Sequence, residues 1–403
     1  MHADMRIVIV GGGIGGLAAA LFLRRAGLEA VVYEQAKEAR EVGAGIVVSP
    51  NMVRLMAKLG LAGGLADFAV KLEAAWEFRR WQDGRVLFVQ QMGEACERLY
   101  AADCYVAHRA DLLALFQQAL PRDALRLDQR CIEIHQDATA TFETRVGRKT
   151  EVTADVVVGA DGIHSIARRA VAPEINARFS GLCAFRCLVP AERAPEIARR
   201  PVQTLWLGPG HHLVHYPISS GKLVNLVAFA PAGEWRSESW TADGRLEDLI
   251  AEYRGWDERV CELIRSATET RRWAMYDRDP LERWTRGRIT VLGDAAHAML
   301  PFFAQGAAQA IEDAFVLAEC LRGATPAQAP QRLRRYEEIR RPRATQVQLM
   351  SRGREINNHL PDGAEQERRD RDLASGNPLR DSAWLYGHDL EGDLRSDLRQ
   401  SPR

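Results

Sequence analysis

The chain has 403 residues, with 54 Lys or Arg balanced by 54 Asp or Glu. That length exceeds most single domains, so two consecutive or interleaved domains are expected; the charge balance speaks against nucleic-acid binding and against a highly charged partner surface. Seven cysteines are scattered without paired spacing or a nearby histidine cluster, which argues against a disulfide framework or a metal site and fits a reducing cytoplasm.

The first unit runs from Arg6 to Glu34. The β-branched run Ile7 to Val10 reads as a buried parallel strand. Gly11, Gly13 and Gly16, with Ile14 and Gly15 between them, fit G-x-G-x-x-G. That pattern needs a tight turn, a backbone that approaches a pyrophosphate, and a helix packed closely on the strand. An apolar helix follows and ends at Gly27; a second strand, Val31 to Tyr33, closes on Glu34. A carboxylate there is placed for a ribose 2′-hydroxyl, with the phosphates at the helix N-terminus. Adenosine diphosphate is common to NAD and FAD, so this unit indicates a dinucleotide without choosing one. Five glycines argue against reading the apolar stretch as a signal peptide. No other stretch approaches the length of a transmembrane helix, and a soluble, cytoplasmic protein with no membrane partner is expected.

Further along, Gly43 and Gly45 let the backbone pass close to something flat or bulky. A helix is expected from Asn51 to Leu59. From about Leu72 to Leu99 the text turns strand-like around Trp76, Phe78, Trp81 and Phe88, an excursion into a second domain. Asp111 could cap the next helix, with His108 and Arg109 at its entrance. Strands and turns from Leu125 lead to a second buried strand, Val156 to Val158, that ends in Gly159, Asp161 and Gly162. Strands then predominate to Arg272, apart from one helical stretch from Leu246 to Ser266. Within HHLVHYPI, alternation puts His212, Val214 and Tyr216 on one face and His211, Leu213 and His215 on the other.

A third buried strand, Ile289 to Leu292, runs into Gly293 and Asp294. An acceptor at the carboxyl end of a strand is where a doubly wound sheet places its ligand, although a helix-capping Asp is the alternative. A helix follows from about Ala307 to near Gly323, then further helices from about Ala327 to Glu355. The Arg-rich RLRRYEEIRRPR reads as a solvated helix face. The tail is charged except for Trp384 to Gly387, an aromatic island expected to dock on the body. The resulting division assigns residues 1–71, 100–176 and 273–355 to a discontinuous cofactor domain. Residues 72–99 and 177–272 form a substrate-binding sheet domain, and 356–403 a docked tail.

Three glycine-acid constellations at strand ends, together with GAGI (Gly43 to Ile46), HRADL (His108 to Leu112), GADGIHS (Gly159 to Ser165) and GDAAH (Gly293 to His297), resemble the FAD-dependent aromatic hydroxylases. These are single-component flavoprotein monooxygenases, and the resemblance covers nearly the whole chain, including the terminal WLYGHD. It implies an α/β fold: a Rossmann-like FAD-binding domain with an interleaved, mainly β-sheet substrate domain and C-terminal helices. It also implies non-covalent FAD, NADH or NADPH as co-substrate, and O2. The reaction implied inserts one oxygen into a hydroxylated, carboxylated aromatic or heteroaromatic ring through a flavin C4a-hydroperoxide, in a monomer or homodimer.

By the same resemblance Glu34 holds the adenosine ribose, Gly45 belongs to the cofactor site, and Arg109 lies near the ribityl-phosphate region. Asp161 serves both FAD and the nicotinamide donor, and Asp294 binds the ribityl hydroxyls. Gly306 and Ala307 open a helix whose amides face the flavin's pyrimidine edge, where negative charge accumulates on reduction. Pro301 shapes the site beside the ring. His212 and Tyr216 match residues that line the ring pocket, with His212 the candidate base or acceptor favouring the phenolate. The relative acting on 6-hydroxynicotinate has histidines where this chain has Val47 and Phe302, and the relative acting on 3-hydroxybenzoate has a glutamine at Pro301. A pocket more apolar than either is expected. The rival functions are a flavoprotein oxidoreductase that inserts no oxygen, and a non-enzymatic dinucleotide-binding module.

Overall fold

The structure, a computed structural model, describes residues 5–38, 44–173, 176–236, 242–376 and 378–398; the loop glycine Gly43 lies outside them. The three buried β-branched runs lie side by side. Arg6–Val10 pairs in parallel with Val156–Gly159, register Ile7 to Val156, and that strand pairs in parallel with Ile289–Val291. Glu29–Tyr33 and Leu125–Arg126 extend the sheet in parallel on one side, and Thr285–Arg286 closes the other edge antiparallel. Parallel pairing brings the ends of the three inner strands to one edge of the sheet. The turns at Gly11, Asp161 and Asp294 therefore meet there, although they are far apart in sequence.

Behind this edge the helix Ile14–Arg25 crosses the helix Gly306–Leu321. Ala18, Ala19 and Ala20 are fully buried. A Cβ on Gly15 would stand 2.9 Å from Leu292 Cδ1 and 3.1 Å from Ala310 Cβ, so the glycine sets how closely the two helices approach.

The second large sheet has eight strands. From edge to edge they are Asp243–Gly244, Thr270–Asp277, Arg178–Pro190, Leu223–Pro231, His211–Ile218, Val202–Gly208, Ala74–Arg80 and Val86–Gln91. The excursion around Trp76 joins this sheet through a parallel pairing with Val202–Gly208, so the mainly β unit is assembled from two separate stretches of chain. This is the α/β architecture with an interleaved β-sheet unit. A small sheet of Gly45–Val48, Tyr105–His108 and Val70–Lys71 lies at its junction with the parallel sheet. Among the described residues no helix is long and apolar enough to cross a membrane.

Several local expectations are corrected. Gly93–Tyr100 is a helix, not strand, because Cys96 and Tyr100 sit four apart on one buried face. The stretch from Leu246 divides into Leu246–Glu252 and Glu258–Arg265. Gly255 takes φ +85° in between, and the Asp257 side chain accepts the Arg259 amide to start the second helix. The helix after Tyr105–His108 begins at Arg109, and its cap is His108, which accepts the Ala110 amide, rather than Asp111. The further helices expected from about Ala327 to Glu355 are one 30-residue helix, Ala329–Asn358. Its Arg-rich face is not solvated throughout, since Arg340 is 0% and Arg343 8% exposed.

Candidate active site

The glycine turn divides its labour. Gly11 has φ +104°, and a Cβ there would lie 2.4 Å from the Ala160 carbonyl oxygen; one on Gly16 would lie 2.0 Å from the Gly11 oxygen. Those two glycines serve close backbone packing. Gly13 differs, because a Cβ there would meet nothing within 4 Å. Gly13 is also the N-cap of Ile14–Arg25, and no side chain caps that helix. Its first amides are left open to an anion. Glu34 is anchored to the same turn: it accepts the Gly12 amide at 2.6 Å and the Ala36 amide at 2.8 Å. A carboxylate offers about four lone-pair sites, so Glu34 keeps capacity for a ribose hydroxyl.

Across the sheet edge Asp294 is exposed, and its carboxylate makes no hydrogen bond or ion pair to any described residue. Its Oδ1 stands 3.9 Å from where a Cβ on Gly306 would be. The helix Gly306–Leu321 likewise lacks a side-chain cap. Its N-cap Gln305 is turned inward to Asn51 and Ser49, which leaves the Gly306 and Ala307 end open. Two uncapped helix starts and an unpaired carboxylate at one sheet edge fit a flavin dinucleotide.

Asp161 is more committed. Its carboxylate accepts the Ser165 hydroxyl and the amides of Ile166 (2.7 Å) and Ala167 (3.2 Å), so it holds the start of its own helix. Burial raises the carboxyl's pKa against these hydrogen bonds. Arg109 donates its backbone amide to the Ala44 carbonyl at 2.8 Å, which sets it beside Gly45. What Gly45 accommodates is the protein's own Tyr216. A Cβ at Gly45 would stand 2.5 Å from Tyr216 Cε2 and 2.6 Å from Asn225 Cγ, and its amide donates to Asn225 Oδ1 at 2.8 Å. Asn225 is fully buried; Arg186 is half-buried over the Trp273 ring.

On the strand His211–Ile218, His212, Val214 and Tyr216 face the parallel-sheet side. On the other face His215 accepts the Trp206 indole N–H at 3.1 Å and His211 meets Glu252 at 2.9 Å. His212 is 1% exposed. Its ring stacks on Phe229 at 4.2 Å and meets Phe302 edge-on at 5.2 Å. Pro301 opens the short turn Pro301–Phe303 that presents Phe302. Val47 packs in the cluster that holds Tyr216, so the wall is apolar around two polar groups.

A residue the sequence did not indicate completes this wall. His212 Nδ1 lies 2.7 Å from His359 Nε2, and His359 Nδ1 lies 2.7 Å from the Glu355 carbonyl oxygen. A carbonyl only accepts, so His359 donates from Nδ1 and its Nε2 carries the lone pair. His212 must then donate from Nδ1, which leaves its Nε2 an acceptor with no partner among the described residues. Burial holds the His212 pKa well below its ordinary value, and burial lowers His359 to about 4. Both rings are neutral at neutral pH.

Comparisons with known proteins bear on this geometry. An FAD binding domain family model matches residues 4–351. A 3-amino-4-hydroxybenzoate 2-monooxygenase of Streptomyces platensis is 43% identical over 95% of this chain and 96% of its own length. The 3-hydroxybenzoate 6-hydroxylase 1 of Aquipseudomonas alcaligenes is 34% identical over 96% and 98%. This chain belongs to the FAD-dependent aromatic hydroxylases. Among solved structures, a salicylate hydroxylase substrate complex superposes with TM-score 0.81 at 26% identity, covering 97% of each chain. Klebsiella pneumoniae HpxO with FAD and uric acid gives 0.82 at 26%, covering 98% of each. The enzyme is thus an FAD-dependent monooxygenase of hydroxylated aromatic or heteroaromatic rings, with NAD(P)H as co-substrate.

Behind the Asp294 turn the hydroxylase carries a buried ionic cluster that sequence reading missed. Glu312 meets Arg343 through two nitrogens at 2.8 and 2.9 Å, Arg340 at 2.9 Å and Asn51 at 2.8 Å. Asp313 meets Arg340 at 2.8 Å, His297 at 2.6 Å and the Gly293 amide at 3.0 Å. Desolvation would raise both carboxyl pKa values, but the facing cations outweigh it, and Glu312 is lowered to about 2. The Gly293 bond ties this cluster to the turn that presents Asp294.

Proposed function

We propose that this hydroxylase acts on a carboxylated phenol, with 3-amino-4-hydroxybenzoate the first candidate and 3-hydroxybenzoate the second. The order follows similarity, since relatives named for the first compound are 39–44% identical to this chain and one named for the second is 34% identical. The observation that carries the reading is the pocket wall, where His212 offers an unpartnered Nε2 on the same strand face as Tyr216, four residues on. In this reading the units around the six-stranded sheet hold the cofactor, divided as the sequence pattern suggests, and the eight-stranded sheet receives the ring. A cytoplasmic enzyme, monomeric or homodimeric, is part of the same proposal.

FAD, when bound, takes hydride from NADH or NADPH and activates O2 for transfer of one oxygen atom to the ring. Glu34 and the open amides at Gly13, Ile14 and Gly15 hold its adenosine and pyrophosphate; Asp294, Gly306 and Ala307 hold the flavin side. Asp161 and Arg109 frame that site. His212 Nε2 accepts the ring hydroxyl's hydrogen bond and draws its proton, which raises electron density at the carbon to be attacked. His359 fixes the tautomer that makes this possible and can take the Nδ1 proton in turn. Tyr216 orients the ring, while Phe302, Val47 and Pro301 keep water out.

The test supplies the FAD-loaded enzyme with NADH or NADPH and each of 3-amino-4-hydroxybenzoate, 3-hydroxybenzoate, salicylate and 6-hydroxynicotinate. Nicotinamide, O2 and hydroxylated product are measured together. Equal consumption and formation with 3-amino-4-hydroxybenzoate supports the reading; oxidation without a hydroxylated product from any carboxylated phenol overturns it.

A further inference from the structure

The long helix that ends beside His359 carries Arg354 five residues earlier, about 7.5 Å along the axis at 1.5 Å per residue. Arg354 is half-buried. Its guanidinium carbon stands 5.2 Å from the ring centre of Phe303, 5.7 Å from Phe78 and 5.8 Å from Trp76. No hydrogen bond or ion pair joins it to any described residue. Several other buried or half-buried arginines are answered by a counter-charge: Arg340 and Arg343 by Glu312 and Asp313, Arg178 and Arg352 by Asp277, Arg79 by Glu77; Arg54 is met by the Tyr100 and His388 carbonyls. Arg354 instead has aromatic faces and unmet N–H donors. Burial lowers its pKa, the signature of a cation without a counter-charge.

The cage is built deliberately. Trp76 holds φ +53° inside the strand Ala74–Arg80, where pairing with Val86–Gln91 shifts between Ala75 and Phe78. Left-handed backbone is unfavourable for a bulky aromatic residue, and such strain gathers at ligand clamps. The Trp76 indole N–H is fixed by the Tyr386 hydroxyl at 3.1 Å. The cage also adjoins the His212 wall. Phe303 follows Phe302, which touches the His212 ring, and Val214, between His212 and Tyr216, packs against the clusters holding Tyr216, Phe302 and Phe78.

We propose that Arg354 is the receptor for the substrate's ring carboxylate, at the end of the pocket opposite the hydroxyl that His212 accepts. A planar guanidinium pairs with a carboxylate through two parallel N–H···O bonds, and aromatic faces hold its plane and exclude water. The assignment rests on the reading that a phenolic ring enters beside His212, and it adds the group that selects acids among such rings.

The experiment titrates the FAD-loaded enzyme with 3-amino-4-hydroxybenzoate and with its uncharged amide, 3-amino-4-hydroxybenzamide, following the absorbance of bound flavin. The wild type should prefer the acid. Arg354→Met should weaken the acid by roughly tenfold to a hundredfold, the loss of a charge-assisted pair, while the amide's affinity and FAD retention stay unchanged. Should Arg354→Met not retain FAD, Arg354→Lys is titrated in its place, where a preserved charge without the planar fork should reduce the preference. Wild-type discrimination that survives in the substituted enzyme overturns the assignment. A wild type that binds and hydroxylates acid and amide alike overturns it too, yet leaves the proposed reaction intact. A wild type that binds neither overturns the reaction reading and this assignment with it.

Discussion

Two polar regions of this hydroxylase, one fully buried and one running from the buried His212 to the exposed Asp294, are built on opposite rules. In the cluster of Glu312, Asp313, Arg340 and Arg343 each charge has its counter-charge within 2.9 Å. Along the pocket wall His212 Nε2, the Arg354 guanidinium and the nearby Asp294 carboxylate have none among the described residues. A closed network holds shape, because removing any one member strands another in low dielectric. An open one holds readiness, since its unmet bonds are available to a ligand. The comparison turns on partners rather than on burial: the ionic cluster is fully paired, and the proposed site groups are not.

The largest effect should come from opening the closed region. Arg340→Met leaves Glu312 and Asp313 short of a cation and should lower unfolding free energy by about 3–5 kcal/mol, read by urea denaturation. Loss of the bond network behind Gly293 should weaken FAD retention as well. A variant as stable as the wild type would mean that the cluster is not the structural half of the comparison.

Changing the open region should leave stability largely alone and strike activity. His212→Ala should keep FAD and be reduced normally by the nicotinamide donor, while hydroxylation falls about 10²–10⁴-fold and NAD(P)H consumption exceeds product. Stopped-flow reduction alongside product quantification checks both halves; full coupling at the normal rate would remove His212 from the chemistry. Asp294→Ala should cost roughly tenfold or more in FAD affinity through one charge-assisted hydrogen bond. Its unfolding curve should be unchanged once FAD is removed, because the carboxylate holds nothing else.

Acid separates the regions more gently. His359 is lowered to about 4 and His215 to about 3, and His212 is held low as well. The unfolded chain therefore takes up protons that the folded one refuses. Stability is full above the ordinary imidazole value near 6.5 and falls as pH drops below it, by about 1.4 kcal/mol per pH unit for each such ring. Glu312, lowered to about 2, contributes stability above its ordinary value near 4.5 and loses it only as pH falls towards 2. Denaturation midpoints should thus decline between about pH 6.5 and pH 4.5 before the ionic cluster titrates, and His359→Asn should flatten that decline.

The parallel sheet was legible because its signals are local: a β-branched run, a glycine turn and an acid recur three times. The alternation of HHLVHYPI was legible for the same reason, since two-residue periodicity needs no knowledge of the neighbours. The ionic cluster was not. An Arg-rich helix looks the same whether its face meets water or Glu312, and what decides is a second helix more than twenty residues away. His359 and Arg354 have no pattern of their own, and their meaning comes from the rings and carbonyl that tertiary folding brings to them. Gly45 was recognised as a close approach, but the object approached, Tyr216, came from the other sheet.

The helix Ala329–Asn358 takes part in both regions, with Arg340 and Arg343 near its middle and Arg354 and His359 at its far end. At 1.5 Å per residue, Arg340 and Arg354 are about 21 Å apart on one rod. The rod is clamped by the cluster behind the Asp294 turn, so on the proposed assignment one rigid element joins the cofactor side to the groups that would meet the ring. It also separates two kinds of change. On the proposed assignment, substitutions in the last two turns should retune which acid is accepted while the clamp stays intact, whereas substitutions at the clamp should decide whether there is an enzyme to retune. A family that varies its aromatic substrate on one scaffold has, in this helix, a place to do so.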